Sequence, residues 1–176
     1  MPLTRPSWWA RPTSAALFAA ATSLEWISQG AESVDWWDLN NFGSPTVGDY
    51  GMLSSGSPET EPAGAALPPY YGEELASMLT GTGSRLTTLA TGASALLGFQ
   101  SDLNDQRRVL LINTGSSSPV NVTPNWFWRE SQIGLATYSA STASRPDPIA
   151  RSAVSASTRL SLPAQSIMVL SGAPRF

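Results

Sequence analysis

The residues best equipped for chemistry lie close together, in Ser-Val-Asp-Trp-Trp-Asp-Leu-Asn-Asn at 33–41. Two indoles, two carboxylates and two amides at the end of a strand-like run suit a sugar. The indole face stacks on the C–H surface of the ring, while carboxylate and amide atoms take its hydroxyls. The plainer reading is a core strand whose aromatics fill a layer and whose polar end opens a loop. Neighbouring strand residues point to opposite faces, so Asp35 and Trp37 share one side and Trp36 and Asp38 the other. The two carboxylates therefore do not form a ready acid pair. Glu25 and Glu32 are expected on a solvated face, and Glu59 and Glu61 in a solubilising loop.

The chain has no Cys and no His. This excludes a disulfide framework, a thiolate or imidazole metal site, a Ser-His-Asp triad and a Cys-His dyad. Acid–base chemistry is left to carboxylates, on which glycosidases run. No cofactor or metal is implied. The formal net charge of −3 gives no footprint for nucleic acid, and no apolar stretch is clean enough to span a bilayer. Every basic residue is Arg, which with abundant Ala and Gly is the codon signature of a GC-rich genome.

The elements that must position these groups fall into two parts. Arg5 and Arg11 before an apolar run at 14–24 have the form of a secretion signal. Leu17, Ala20, Leu24 and Ile27 nevertheless recur at helical spacing and predict a helix over 13–29, closed by Gly30. A strand follows at 33–39, then a long loop to 67. Its 48–56 portion has the apolar content to pack down, and 57–66 is expected to be mobile. Pro69 opens a second helix to about 80, with Glu73 and Glu74 near its positive end. From Arg85 onward short β runs recur at 86–91, 95–100, 108–113, 119–123, 133–139 and 158–170, the last split at Pro163. Residues 140–157 are of low complexity and expected as an exposed loop. The pattern predicts an antiparallel sandwich. The Trp26 region and the Leu75/Leu79 face are expected to join the helices to the rest.

The order of these motifs carries a resemblance. Val-Asp-Trp-Trp-Asp-Leu-Asn-Asn (34–41) is followed by Gly-Asp-Tyr-Gly-Met-Leu-Ser-Ser (48–55). Pro-Pro-Tyr-Tyr-Gly-Glu-Glu-Leu-Ala-Ser-Met-Leu (68–79) comes next, then Val-Leu-Leu-Ile-Asn (109–113) and the closing Leu-Pro-Ala-Gln-Ser (162–166). Together they resemble the C-terminal end of secreted actinobacterial glycoside hydrolases of the α-L-arabinofuranosidase and β-xylosidase type (clan A, families 51 and 39). Those enzymes join a (β/α)₈ barrel to a β-sandwich. The resemblance implies a mainly β chain, in which residues 1–82 are a helix-strand-helix remnant of the barrel and 83–176 the sandwich. Helix 13–29 becomes the seventh barrel helix, 34–39 the eighth strand and 69–80 the eighth helix.

The same resemblance implies the function. The family's two catalytic Glu residues stand upstream of the seventh helix, and residues 1–12 offer neither. The expectation is a portion of a glycoside hydrolase of plant polysaccharides with no catalytic residue of its own. The alternative is a carbohydrate-binding or structural sandwich module. Substrate contacts implied are Trp37 and Asn40, with Trp36, Asp38 and Tyr50 behind them. Trp126, Phe127 and Trp128 form a candidate sugar-stacking platform, set against the plainer role of capping the sandwich core. The expected partner is an oligo- or polysaccharide, with no nucleic acid or membrane. The unsatisfied strand 34–39 calls either for a polypeptide supplying upstream barrel strands or for self-association, while 84–176 is expected to fold alone. The related enzymes are extracellular; for this chain the sequence specifies no compartment.

Overall fold

The computed structural model describes residues 13–41, 51–56, 61–103, 106–127, 130–143 and 147–172. Two helices come first, α1 (Thr13–Ser28) and α2 (Pro68–Ser77). Eight strands follow: β1 (Arg85–Thr88), β2 (Leu96–Leu103), β3 (Gln106–Asn113), β4 (Val120–Val122), β5 (Gln132–Ser139), β6 (Ala150–Ser155), β7 (Leu160–Leu162) and β8 (Ser166–Ser171). Six of them form one antiparallel sheet in the order β1-β2-β3-β8-β5-β6, and β4 pairs with β7 as a separate ribbon. The molecule is mainly β, as expected. The split at Pro163 also occurs, and Gln165 adopts φ 47° in the turn that separates β7 from β8.

Two apolar cores lie on opposite faces of the large sheet. In β3, Leu110 and Ile112 face the helices, while Val109 and Leu111 face the β4–β7 ribbon. In β8, Ile167 and Val169 take the helix side and Met168 and Leu170 the ribbon side. A strand buried on both faces reads as a continuous apolar run, and Val-Leu-Leu-Ile is one. Asn113 ends β3 and pins the ribbon. Its buried Nδ2 donates to the carbonyls of Ser118, Leu162 and Pro163 at 3.0, 3.2 and 2.9 Å, while its Oδ1 accepts from the Gly115 N–H.

The helices share their core with the sheet. Ala16, Ala20 and Leu24 of α1 and Leu75 and Ala76 of α2 belong to one buried cluster with Leu86, Phe99, Leu110, Tyr138 and Ile167. Tyr71 of α2 stacks on Tyr138 with centroids 5.6 Å apart. Arg151 of β6 reaches Glu74 at 2.6 Å, and Arg108 of β3 donates to the Met78 carbonyl at the end of α2. Glu74 thus pairs with the sheet rather than lying at the helix N-terminus. The expectation that 84–176 folds alone changes accordingly, because the helix-facing side of the sheet would be stripped to water.

Four local features depart from the sequence reading. No strand forms over 33–39; among the described residues Asn40 makes a parallel bridge to Leu53, and Leu53 bridges Ala66 in turn. Residues 61–66 are not loose, since Gly64 N–H donates to Ser54 O and Ser54 N–H to Ala65 O, both at 2.8 Å. The 140–157 stretch contains β6, an edge strand of small and exposed residues without apolar alternation. Trp26 is exposed rather than packed into the helix–sheet contact. Leu17, Leu24, Leu75 and Leu79 are buried there as expected.

Gly72 allows the two helices to meet. A Cβ built there would stand 2.2 Å from the carbonyl oxygen of Ala16, a backbone atom that cannot yield without moving α1. We expect Gly72→Ala to cost about 1–3 kcal/mol by forcing the helices apart. Urea unfolding checks this, and an unchanged midpoint would contradict the close contact.

Candidate functional site

Phe18, Thr22 and Trp26 follow one another every four residues on α1, which places them on one face of the helix. That face looks away from α2. Helix α1 ends where Gly30 takes φ +100°, with Ala31 N–H donating to Trp26 O and Gly30 N–H to Ile27 O. This paired closure needs a left-handed residue, for which glycine carries no Cβ penalty. The reversal returns residues 33–37 across the Phe18–Trp26 face. Between them lies a cleft of about 380 Å³ lined by Phe18, Thr22, Trp26, Ser33, Val34, Asp35, Trp36 and Trp37. Phe18 and Trp36 meet edge to face, with centroids 6.0 Å apart.

Beyond the cleft the chain is held by backbone pairing. The Met52 and Leu53 N–H groups donate to the carbonyls of Asp38 and Leu39 at 3.1 and 2.8 Å, and Asn41 N–H donates to Leu53 O at 3.0 Å. The buried Asn41 side chain accepts the Gly51 N–H at 2.6 Å. A Cβ on Gly51 would fall 2.5 Å from the Asn41 nitrogen, so this crossing requires glycine. The Trp37–Asp38 peptide is cis.

The structure separates the sequence candidates. Trp36 and Trp37 line the cleft, with Trp36 half-buried and Trp37 exposed, and Asp35 lies on the exposed side with Trp37. Exposure thus alternates along 35–38 although no strand forms, while Asp35, Trp36 and Trp37 all border one cleft. Asp38 is half-buried, and its Oδ1 is enclosed with no hydrogen-bond partner among the described residues. Asn40 is exposed just beyond it. Tyr50, Trp128 and the side chain of Trp126 lie outside the described residues. Phe127 is a correction: it is buried in the ribbon-side core and cannot serve as a surface platform. No cluster of potential metal ligands occurs among the described residues, and no described helix is long and apolar enough to cross a membrane.

Sequence reasoning missed Phe18, Thr22 and Trp26 as cleft walls. Their four-residue spacing is visible in the sequence, but the stripe of Leu17, Ala20 and Leu24 that enters the core dominates the periodicity of α1.

No protein-family model matches the chain, and no curated protein matches it. Solved structures do match, at low identity. A family 30 endoxylanase from Clostridium papyrosolvens superposes with a TM-score of 0.56 at 15% identity, over 93% of this chain and 39% of that one. An arabinose-bound α-L-arabinofuranosidase of family 51 gives a TM-score of 0.59 at 17% identity, over 90% of this chain and 26% of that one. A family 30 subfamily 8 xylanase from Clostridium acetobutylicum gives 0.52 at 16% identity, over 92% and 39%. These neighbours are clan A glycoside hydrolases, and the chain has the fold of their C-terminal β-sandwich region. It spans well under half the length of each.

Electrostatics mark one carboxyl group, away from the cleft. Glu73 lies between the helices, where the buried Ser23 hydroxyl donates to its Oε1 at 2.6 Å. Burial raises its pKa above the ordinary Glu value, and the Ser23 hydrogen bond acts in the opposite direction. The folded state therefore holds this proton more firmly than the unfolded chain does. Its favourable contribution is complete below the unfolded carboxyl pKa and is lost as pH rises through the folded value. Glu73→Gln keeps an acceptor for Ser23 and removes the titration. Relative to the parent, the variant should gain stability as pH rises from below the carboxyl range to neutrality. Denaturation midpoints at the two pH values check the sign; a variant that loses ground at neutral pH would contradict it.

Proposed function

We propose that this chain is the C-terminal portion of a secreted, actinobacterial-type glycoside hydrolase acting on plant polysaccharide glycosides. In this reading residues 1–82 are the end of the barrel and 83–176 the sandwich. The observation that carries it is local: the exposed indole of Trp37 borders the cleft, and the amide of Asn40, three positions on in the chain, is exposed as well. A ring-stacking surface with an exposed amide in the same segment suits a pyranose or furanose. Likeness to xylanases and an arabinose-bound arabinofuranosidase supports a pentose-containing glycan as the ligand class.

The chain's part in that function is recognition rather than bond cleavage. Retaining hydrolysis needs two carboxyl groups about 5–5.5 Å apart and inversion about 6.5–9.5 Å. Asp35 is exposed at the cleft, Asp38 is half-buried with its Oδ1 enclosed, and Glu73 serves the helix contact. Catalysis then requires a polypeptide bearing the two carboxylates. Incubated alone with aryl arabinofuranosides and xylosides, the chain should show no turnover above buffer. On xylan and arabinan in affinity electrophoresis it should be retarded, and Trp37→Ala should remove the retardation. Turnover that Asp35→Asn or Asp38→Asn abolishes would overturn this reading. Retardation that survives Trp37→Ala would favour a binding module whose sugar site lies elsewhere.

A further inference from the structure

One wall of the cleft belongs to α1, and the sugar contact at Trp37 makes no use of it. Phe18, Thr22 and Trp26 span eight residues of that helix, or about 12 Å at ~1.5 Å per residue. The facing wall is the 33–37 segment, which brings Ser33, Asp35 and the exposed Trp37. A single sugar ring stacked on Trp37 is shorter than this groove. We propose that the cleft holds a chain of at least two consecutive uncharged pentose units, with Trp26 as the second stacking ring. This site rests on the carbohydrate reading above and deepens it, from a sugar contact to a subsite that selects for chain length and against charge.

Size and lining favour this occupant. The cleft measures about 380 Å³, within the ~300–1,000 Å³ of small-ligand sites, which are mostly apolar with a few polar groups set among the rings. Here those groups are the hydroxyls of Thr22 and Ser33 and the carboxylate of Asp35. Each hydroxyl can both donate and accept and the carboxylate accepts, which matches the hydroxyls along a sugar chain. Trp26 is 63% exposed, so its indole is open to a ring, whereas Trp36 is half-buried edge to face with Phe18 and supports the wall. Charge sets the second preference. Exposed Glu25 and Glu32 adjoin Trp26 and Ser33 in the chain, Asp35 lines the cleft, and no Arg is among the lining residues. A glycan carrying uronic acid would bring like charge to this rim, a repulsion that salt screens.

Ligand-observed NMR titration of the full chain tests this with xylose, xylobiose, xylotriose, the matching arabinofuranose oligomers and a xylotriose bearing one glucuronic acid. In at least one series, binding should tighten about fivefold or more from mono- to trisaccharide, the effect of one well-placed anchor. That exceeds the statistical advantage of presenting three equivalent units. Trp26→Ala should reduce the gain to the statistical advantage. Thr22→Gln, which puts a longer side chain of good helix propensity into the middle of the cleft, should do the same and serves if the tryptophan variant does not fold. At low salt the glucuronosylated chain should bind more weakly than xylotriose, and added salt should narrow the gap. A gain no larger than the statistical one, a gain that survives both substitutions, or binding of the glucuronosylated chain at least as tight as that of xylotriose would overturn the inference. Each of these leaves the carbohydrate reading standing as long as Trp37→Ala abolishes binding. Failure of every sugar to bind would overturn both.

Discussion

The helix-facing side of strands β3 and β8 governs the rest of the molecule. Leu110, Ile112, Ile167 and Val169 cannot stay in water, and the nearest cover is the pair of helices that precede the sheet. At about 25 cal/mol per Å² of apolar surface, covering a sheet face outweighs the side-chain ion pairs that accompany it. The Arg151–Glu74 pair and the Arg108 contact with Met78 therefore orient the helices more than they hold them. Seating α1 in this way commits one of its faces. Ala16, Ala20 and Leu24 go inward, and Phe18 and Trp26 are left facing out. The cleft, its aromatic walls and its exposed surface all follow from that commitment.

Much of this was legible in the sequence, for physical reasons that differ from element to element. Strands β2, β3, β5 and β8 announced themselves because each has at least one buried face, and Val-Leu-Leu-Ile announced a strand with two. Gly30 predicted its own left-handed turn because the last periodic residue stands just before it. The strand expected at 33–39 was not visible as an error. Its composition is right for a barrel strand, but a parallel strand needs a neighbour on each side. Among the described residues one segment, at 51–54, pairs with it, and that pairing starts at Asp38. Strand β6 was hidden for the opposite reason. As an edge strand it buries little, and its Ala and Ser residues carry no alternation.

The candidate site was half legible. Trp36 and Trp37 were legible by residue type, and the alternating exposure along 35–38 by strand parity, although both indoles border one cleft in a segment that is not a strand. Tertiary placement was out of reach. Nothing in the local pattern says that Asp38 Oδ1 would be enclosed without a donor, or that the turn at Gly30 would lay this segment across α1. Phe127 shows the converse. An aromatic trio suggested a platform, and packing took its middle member into the ribbon-side core. The same segment therefore carries the exposed indole of Trp37, the exposed amide of Asn40 and much of the apolar surface left open by the folding of α1.

The claim on which these conclusions rest is that helices and sheet form one cooperative core rather than a sandwich with an appended pair of helices. Native-state hydrogen exchange tests it most directly. Amides of Leu24 in α1 and Leu75 in α2 should open with the same free energy as those of Leu110 in β3 and Ile167 in β8, because one buried cluster contains all four. Helices that exchange through a distinctly lower-energy opening, while β3 and β8 remain protected, would contradict it.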